Sequence, residues 1–72
     1  MPLSMILPGE ERVIERISGK DDTKRFLNSL GFVEGNDVTV VSKAAGNIIV
    51  GVLDARIAIG RKMANKIIVA EK

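Results

Sequence analysis

The sequence predicts a mostly β fold: a small antiparallel barrel with one short helix capping an opening and a helical turn near the C-terminus. Three observations carry that expectation. The chain reads as one strand, one helix and then several short strands at close spacing, each bounded by turn residues. Its 46% hydrophobic content is almost free of aromatics, Phe26 and Phe32 being the two, so the core is built from Ile, Val and Leu. The β-branched members of that set favour strands. Finally, 72 residues make a single domain, 1–72, because a second would lack a core of its own. A chain of this size buries only about 60% of the surface its unfolded form exposes, so its core must be used efficiently.

After a short apolar lead-in, Pro8-Gly9 marks a turn. Arg12–Ile17 reads as a strand in which Ile14 and Ile17 stand three apart; a bulge or sharp bend would turn both inward. Ser18-Gly19 ends it, and Asp21-Asp22 offers an N-cap for a helix running to Leu30. Thr23, Phe26, Leu27 and Leu30 form a narrow core-facing stripe, with Lys24 and Arg25 elsewhere on the wheel, in water. Gly31 suits the left-handed position just past the helix, Phe32 packs back on Leu27, and the turn Glu34-Gly35-Asn36-Asp37 follows. Asp37–Lys43 alternates with Val38 and Val40 on one face, and Gly46-Asn47 suits a type II′ hairpin. Asn47–Leu53 puts Ile48, Val50 and Val52 on one face and Ile49, Gly51 and Leu53 on the other. Asp54-Ala55 turns the chain into a further strand, Arg56–Ile59, which Gly60 breaks. Arg61–Ala64 fits a single helical turn, and a last strand runs over Lys66–Glu71.

Missing residue types narrow the chemistry. Without histidine or cysteine there is no histidine relay, no thiol nucleophile, no disulfide and no thiolate metal site. Ser18, Ser29 and Ser42 have no histidine base and lie in no Gly-x-Ser-x-Gly elbow. Gly31 to Gly35 lacks the length and the Lys-Ser/Thr ending of a phosphate loop, whereas a helix stop plus a turn accounts for both glycines. No catalytic residue is assigned, and the chain reads as a non-enzyme. The carboxylates that fall near one another are Glu10, Glu11 and Glu15, and separately Asp21 and Asp22. Oxygen-only sites hold iron or zinc weakly, so no cofactor and no metal ligand is assigned beyond weak transition-metal association. The Met1–Pro8 segment has neither the basic start nor the apolar stretch of a signal peptide, and no apolar run approaches a membrane span. A soluble, cytoplasmic chain without direct membrane insertion is the expectation.

The net charge of +2 is unevenly placed, −1 over residues 1–36 and +3 over residues 37–72. Arg56, Arg61, Lys62 and Lys66 raise the question of nucleic acid, for which a basic groove is half of the requirement. Stacking aromatics, the other half, are missing nearby, and the plainer reading is a solvated rim that keeps an edge strand soluble. What remains is surface for a protein partner. Ile49 and Leu53 on the outward face of their strand are candidates, the alternative being that the helix or the N-terminal segment covers them. Phe26 is a third candidate, because it stands at the edge of the helical stripe.

The segment Phe26-Leu27-Asn28-Ser29-Leu30-Gly31-Phe32-Val33-Glu34-Gly35 resembles the Leu-Gly-hydrophobic-x-x-Gly signature of the ferrous iron transport protein A (FeoA) family. The similarity spans almost the whole chain. Leu7-Pro8-Gly9-Glu10 with Ile14 and Ser18-Gly19 is similar to the family's opening strand; Asp37–Val41, Ile48–Leu53, Ile57–Ile59, Ala64 and Ile67–Val69 follow in the family's order. Glu34 departs from the proline that often precedes the second glycine, which should loosen that turn and leave the fold unchanged. The resemblance implies an SH3-like barrel and a cytoplasmic accessory role in ferrous iron uptake. The implied partner is the membrane GTPase-coupled permease FeoB, contacted on its cytosolic side. Phe26, Leu30, Gly31, Phe32 and Gly35 are the contact this suggests, beside Ile49 and Leu53. The same barrel also closes the chains of iron-dependent repressors. The alternative is therefore a regulatory module of metal sensing or transcription, acting with a partner chain because no DNA-reading helix is present here.

Overall fold

Valines and isoleucines at every second position fix the strands, and their pairing curls one sheet into a barrel. The structure, a computed structural model, describes residues 1–71. Strands β1 (Glu11–Ile17), β2 (Asp37–Ala44), β3 (Asn47–Val52), β4 (Ala55–Gly60) and β5 (Ile67–Val69) pair antiparallel in the order β4-β3-β2-β1-β5. Helix α1 (Asp21–Ser29) joins β1 to β2, and the single turn α2 (Arg61–Ala64) joins β4 to β5.

β1 makes the corner of the barrel. Its first half pairs with β2, Val13 opposite Asp37, and its second half pairs with β5, Ile14 opposite Val69. A bulge at Glu15 separates Ile14 from Arg16 in the second pairing, and it is why Ile14 and Ile17, three apart, are both buried. A second bulge, at Val41, lies between Val40 and Ser42 in the β2–β3 pairing.

The core takes Val38 and Val40 from β2, Ile48, Val50 and Val52 from β3, Ile59 from β4, and Ile67 and Val69 from β5. Phe32 is its largest fully buried side chain. Leu3 and Ile6 are also fully inside, which the reading of Met1–Pro8 as a lead-in does not anticipate. Met1 and Pro2 lie against β5, and a 3-10 turn over Leu3–Met5 then folds both apolar side chains under the barrel.

Local chemistry places several turns differently from the sequence expectation. The helix N-cap is Lys20, without a side-chain cap bond, so Asp21 and Asp22 sit inside the first turn. There their charges favour the helix dipole instead of capping it. The turn after the helix closes between Val33 and Asn36, one residue early (Asn36 N–H to Val33 O, 3.0 Å). The extra residue at Val41 makes Ala44 pair with Asn47, which leaves Ala45-Gly46 as the hairpin loop. Both have positive φ, +49° and +83°, the mark of a type I′ turn in place of type II′. Between β3 and β4 the loop is Leu53-Asp54, because Val52 pairs with Ala55. Among the described residues no helix is long and apolar enough to cross a membrane.

Candidate interaction surface

The helix stop builds the site. At the end of α1 the Phe32 N–H donates to Leu27 O at 3.0 Å and the Gly31 N–H donates to Asn28 O at 3.0 Å. That is the double bond pattern of a Schellman cap, which requires a residue of positive φ between them; Gly31 has φ +104°. The pattern turns the chain sharply and drives Phe32 into the core. The Asn36 side-chain amide then donates to Gly31 O at 2.9 Å, while Gly35 N–H donates to Ile14 O and Ile14 N–H donates to Asn36 O. Residues 31 to 36 are thus locked between the helix and β1.

Onto this turn folds the tip of the β3–β4 hairpin. A methyl group built on Gly31 would lie 3.2 Å from Leu53 Cδ1 and 3.6 Å from Val52 Cγ1, so the Leu53 side chain rests on the glycine. Even so, Leu53 is 73% exposed. Its φ of +55° is a conformation that costs an L-residue with a side chain roughly 1–2 kcal/mol. Phe26 is 51% exposed and stands one helical turn before Leu30, and Val33 is exposed two residues beyond Gly31. Leu53 also lines an open groove of about 430 Å³, together with Gly35, Asn36, Asp37, Thr39, Gly51 and Glu11.

The expected site residues therefore divide. Phe26, Gly35 and Leu53 are exposed, and Leu30 is half-buried. Gly31 and Phe32 are buried. Phe32 is correspondingly withdrawn from the contact surface: its part is to anchor the turn from below. Ile49 is half-buried on the outer face of β3, opposite Ser42 and Ala58, and does not line the groove. Leu53, by contrast, is not covered by the N-terminal segment. Sequence reasoning missed Asn36 and did not single out Val33 within the Gly31–Gly35 turn. The signal for Asn36 was its place directly after a turn glycine, where a short amide can reach back to the backbone. Among the described residues, no three carboxylate, histidine or cysteine side chains stand close enough to hold a metal ion.

A curled antiparallel sheet of five short strands, with a helix stop and a hairpin tip offering apolar side chains at one corner, is a small domain of the SH3-like class. Its sequence narrows the class: the profile of the FeoA domain matches residues 1–71, and the chain belongs to the FeoA family. A candidate Fe(2+) transport protein A of Methanocaldococcus jannaschii is 31% identical over 70 residues, covering 97% of this chain and 85% of that protein. A crystal structure described as the iron uptake regulatory protein FeoA superposes with a TM-score of 0.88 at 33% identity, covering 96% of this chain and 93% of the other. Zinc-complexed FeoA of Stenotrophomonas maltophilia, described as an SH3 domain protein and a candidate ferrous iron transport activating factor, gives 0.86 at 29% identity, covering 97% and 89%. A manganese-dependent transcriptional repressor matches with 0.87 at 27% identity, covering 97% of this chain and 35% of the repressor.

Proposed function

We propose that this chain is a cytoplasmic accessory protein of ferrous iron uptake that docks on the cytosolic side of the permease FeoB and adjusts its assembly or GTPase cycle. The contact consists of Phe26, Leu30, the Gly31–Gly35 turn and Leu53. The observation that carries the reading is Leu53. A large apolar side chain stands 73% exposed at a hairpin tip, on a backbone of positive φ that glycine or asparagine would adopt at lower cost. Local strain kept together with apolar exposure points to a binding role for the side chain. Membership of the FeoA family supports a partner in ferrous iron transport. Hydrolysis and transport belong to the permease, and this chain supplies recognition alone.

The test is co-purification with the permease's cytosolic region. Wild-type protein should be retained, whereas Phe26→Ala and Leu53→Asp should be lost while the fold is kept, with no fall in melting temperature for Leu53→Asp. Retention of Phe26→Ala at the wild-type level would sink the assignment. Titration with short DNA separates the regulatory alternative: saturable binding at physiological salt would replace the transport reading with one in which the chain serves a transcriptional partner.

A further inference from the structure

The two edges of the sheet are treated differently. The outer edge of β5 is covered by the N-terminus: the Met1 ammonium donates to Val69 O at 2.9 Å, the Val69 N–H donates to Met1 O at 2.7 Å, and Pro2 bridges Ile68. β4 has β3 on one side and, among the described residues, no strand on the other. Val52 and Ala55 close a two-residue hairpin, so this pair is hydrogen-bonded and bonding alternates from there. The backbone groups of Ala55, Ile57 and Ile59 accordingly turn toward β3. Those of Arg56 and Ala58 turn outward, as does the Gly60 N–H, whereas the Gly60 carbonyl, at the N-cap of α2, begins that helix's ladder. All six residues pair with β3 without a register shift, so no bulge twists the edge away. The strand has no proline and one charge, Arg56. A straight, unpaired edge of this kind is a template for an added strand.

Charge selects the occupant. Arg56 within the edge, and Arg61 and Lys62 just past its end, are all exposed. A second copy of β4 paired about Ala58 would set each Arg56 opposite the other copy's Gly60, next to that copy's Arg61 and Lys62. Asp54 would face the other copy's Lys62 in that pairing, but Arg56, Arg61 and Lys62 outnumber that one carboxylate in each copy, so two edges of like net charge would meet, which disfavours the pairing. A strand carrying carboxylates meets opposite charge at the same places.

We infer that the outer edge of β4 accepts an extended, acidic segment of a protein partner as an added strand, held by the backbone of Arg56 and Ala58 and the N–H of Gly60 and selected by Arg56, Arg61 and Lys62. This surface shares no residue with the Phe26–Leu53 corner, and it stands or falls apart from the identity of the permease partner.

The probe is a synthetic seven-residue peptide, Thr-Glu-Val-Glu-Val-Glu-Thr with blocked ends, titrated into the isotope-labelled full chain and followed by amide NMR. Saturable shifts should centre on the amides of Arg56, Ala58 and Gly60, and binding should weaken about threefold or more in 0.5 M salt because exposed charges are screened. Arg56→Glu should weaken binding about tenfold by reversing the central charge. Ala58→Pro removes an outward donor on the side of β4 where, among the described residues, no strand pairs, so it should abolish binding and keep the fold, as proline is tolerated on an edge. A peptide with proline in place of the middle glutamate should not bind. The inference is overturned by shifts centred elsewhere, by no saturable binding at millimolar peptide, or by equal binding of the proline peptide. Concentration-dependent shifts of the β4 amides without peptide would also overturn it, since a second copy would then hold the edge.

Discussion

Replacing Gly31 with alanine tests the helix stop and its hairpin cover together. Gly31 has φ +104°, a region that costs a residue with a Cβ of order 1–3 kcal/mol. The added methyl would also meet Leu53 Cδ1 at 3.2 Å, tighter than ordinary contact by a few tenths of an ångström. Leu53 is exposed enough to swing aside, so this second cost is an off-rotamer side chain, about 0.5–1.5 kcal/mol. Gly46 supplies the control: its φ is +83°, but a methyl there meets nothing within 4 Å. Gly46→Ala therefore reports strain alone, and the difference between the two variants reports the Leu53 contact. Urea and thermal denaturation followed by circular dichroism should place Gly46→Ala about 1–2 kcal/mol below wild type. Gly31→Ala should fall lower still by about 0.5–1.5 kcal/mol. At about 4–8 °C per kcal/mol for a domain of this size, Gly31→Ala should melt roughly 10 °C or more below wild type. Permease binding should fall for Gly31→Ala and persist for Gly46→Ala, because only the first displaces Leu53. A Gly31→Ala variant as stable as wild type, or no less stable than Gly46→Ala, would refute the reasoning.

Leu53→Asn should raise stability by about 0.5–1 kcal/mol through relief of positive-φ strain while weakening permease capture; a variant that gains stability and binds as well as wild type would deny Leu53 its role. Asn36→Ala removes the bond to Gly31 O and should cost about 1 kcal/mol in urea denaturation. Leu3→Ala should cost about 2–5 kcal/mol, a large share of what a domain this small has, and calorimetry should show a much lower or lost transition. A near-neutral result would mean that the N-terminal turn is not part of the cooperative core.

Much of this architecture is written locally. Alternation assigns Val38, Val40, Ile48, Val50 and Val52 to the inside, and the three-residue gap between Ile14 and Ile17 announces the bulge in β1. Gly31 announces the Schellman stop. What sequence reasoning could not place were the hairpin loops. A loop at Asp54-Ala55 and one at Leu53-Asp54 differ by two residues in register, and both keep the same side chains facing inward, so the pattern cannot choose between them. The consequence for the site is large, because the observed register puts Leu53 in the turn rather than in the strand.

The candidate surface was legible in part for the same reason. Leu53 could be named as an apolar group on the outward face of its strand, since strand period is a property of the chain alone; the helical stripe turned Phe26 toward the core, and the structure leaves it 51% exposed at the stripe's edge. Phe32 could be placed next to the helix stop but not on one side or the other of the barrel wall. The burial of Leu3 and Ile6 was equally hidden, because it depends on the N-terminus lying along β5, with 67 residues between Met1 and Val69 in the chain. The sequence by itself determined the elements, their inward faces and the absence of histidine and thiol chemistry. Tertiary structure decided which hairpin register seats Leu53 on Gly31, which edge the N-terminus covers, and that no strand among the described residues pairs with the outer edge of β4. Those are pairings between distant segments, whose energies depend on groups that local periodicity never brings together.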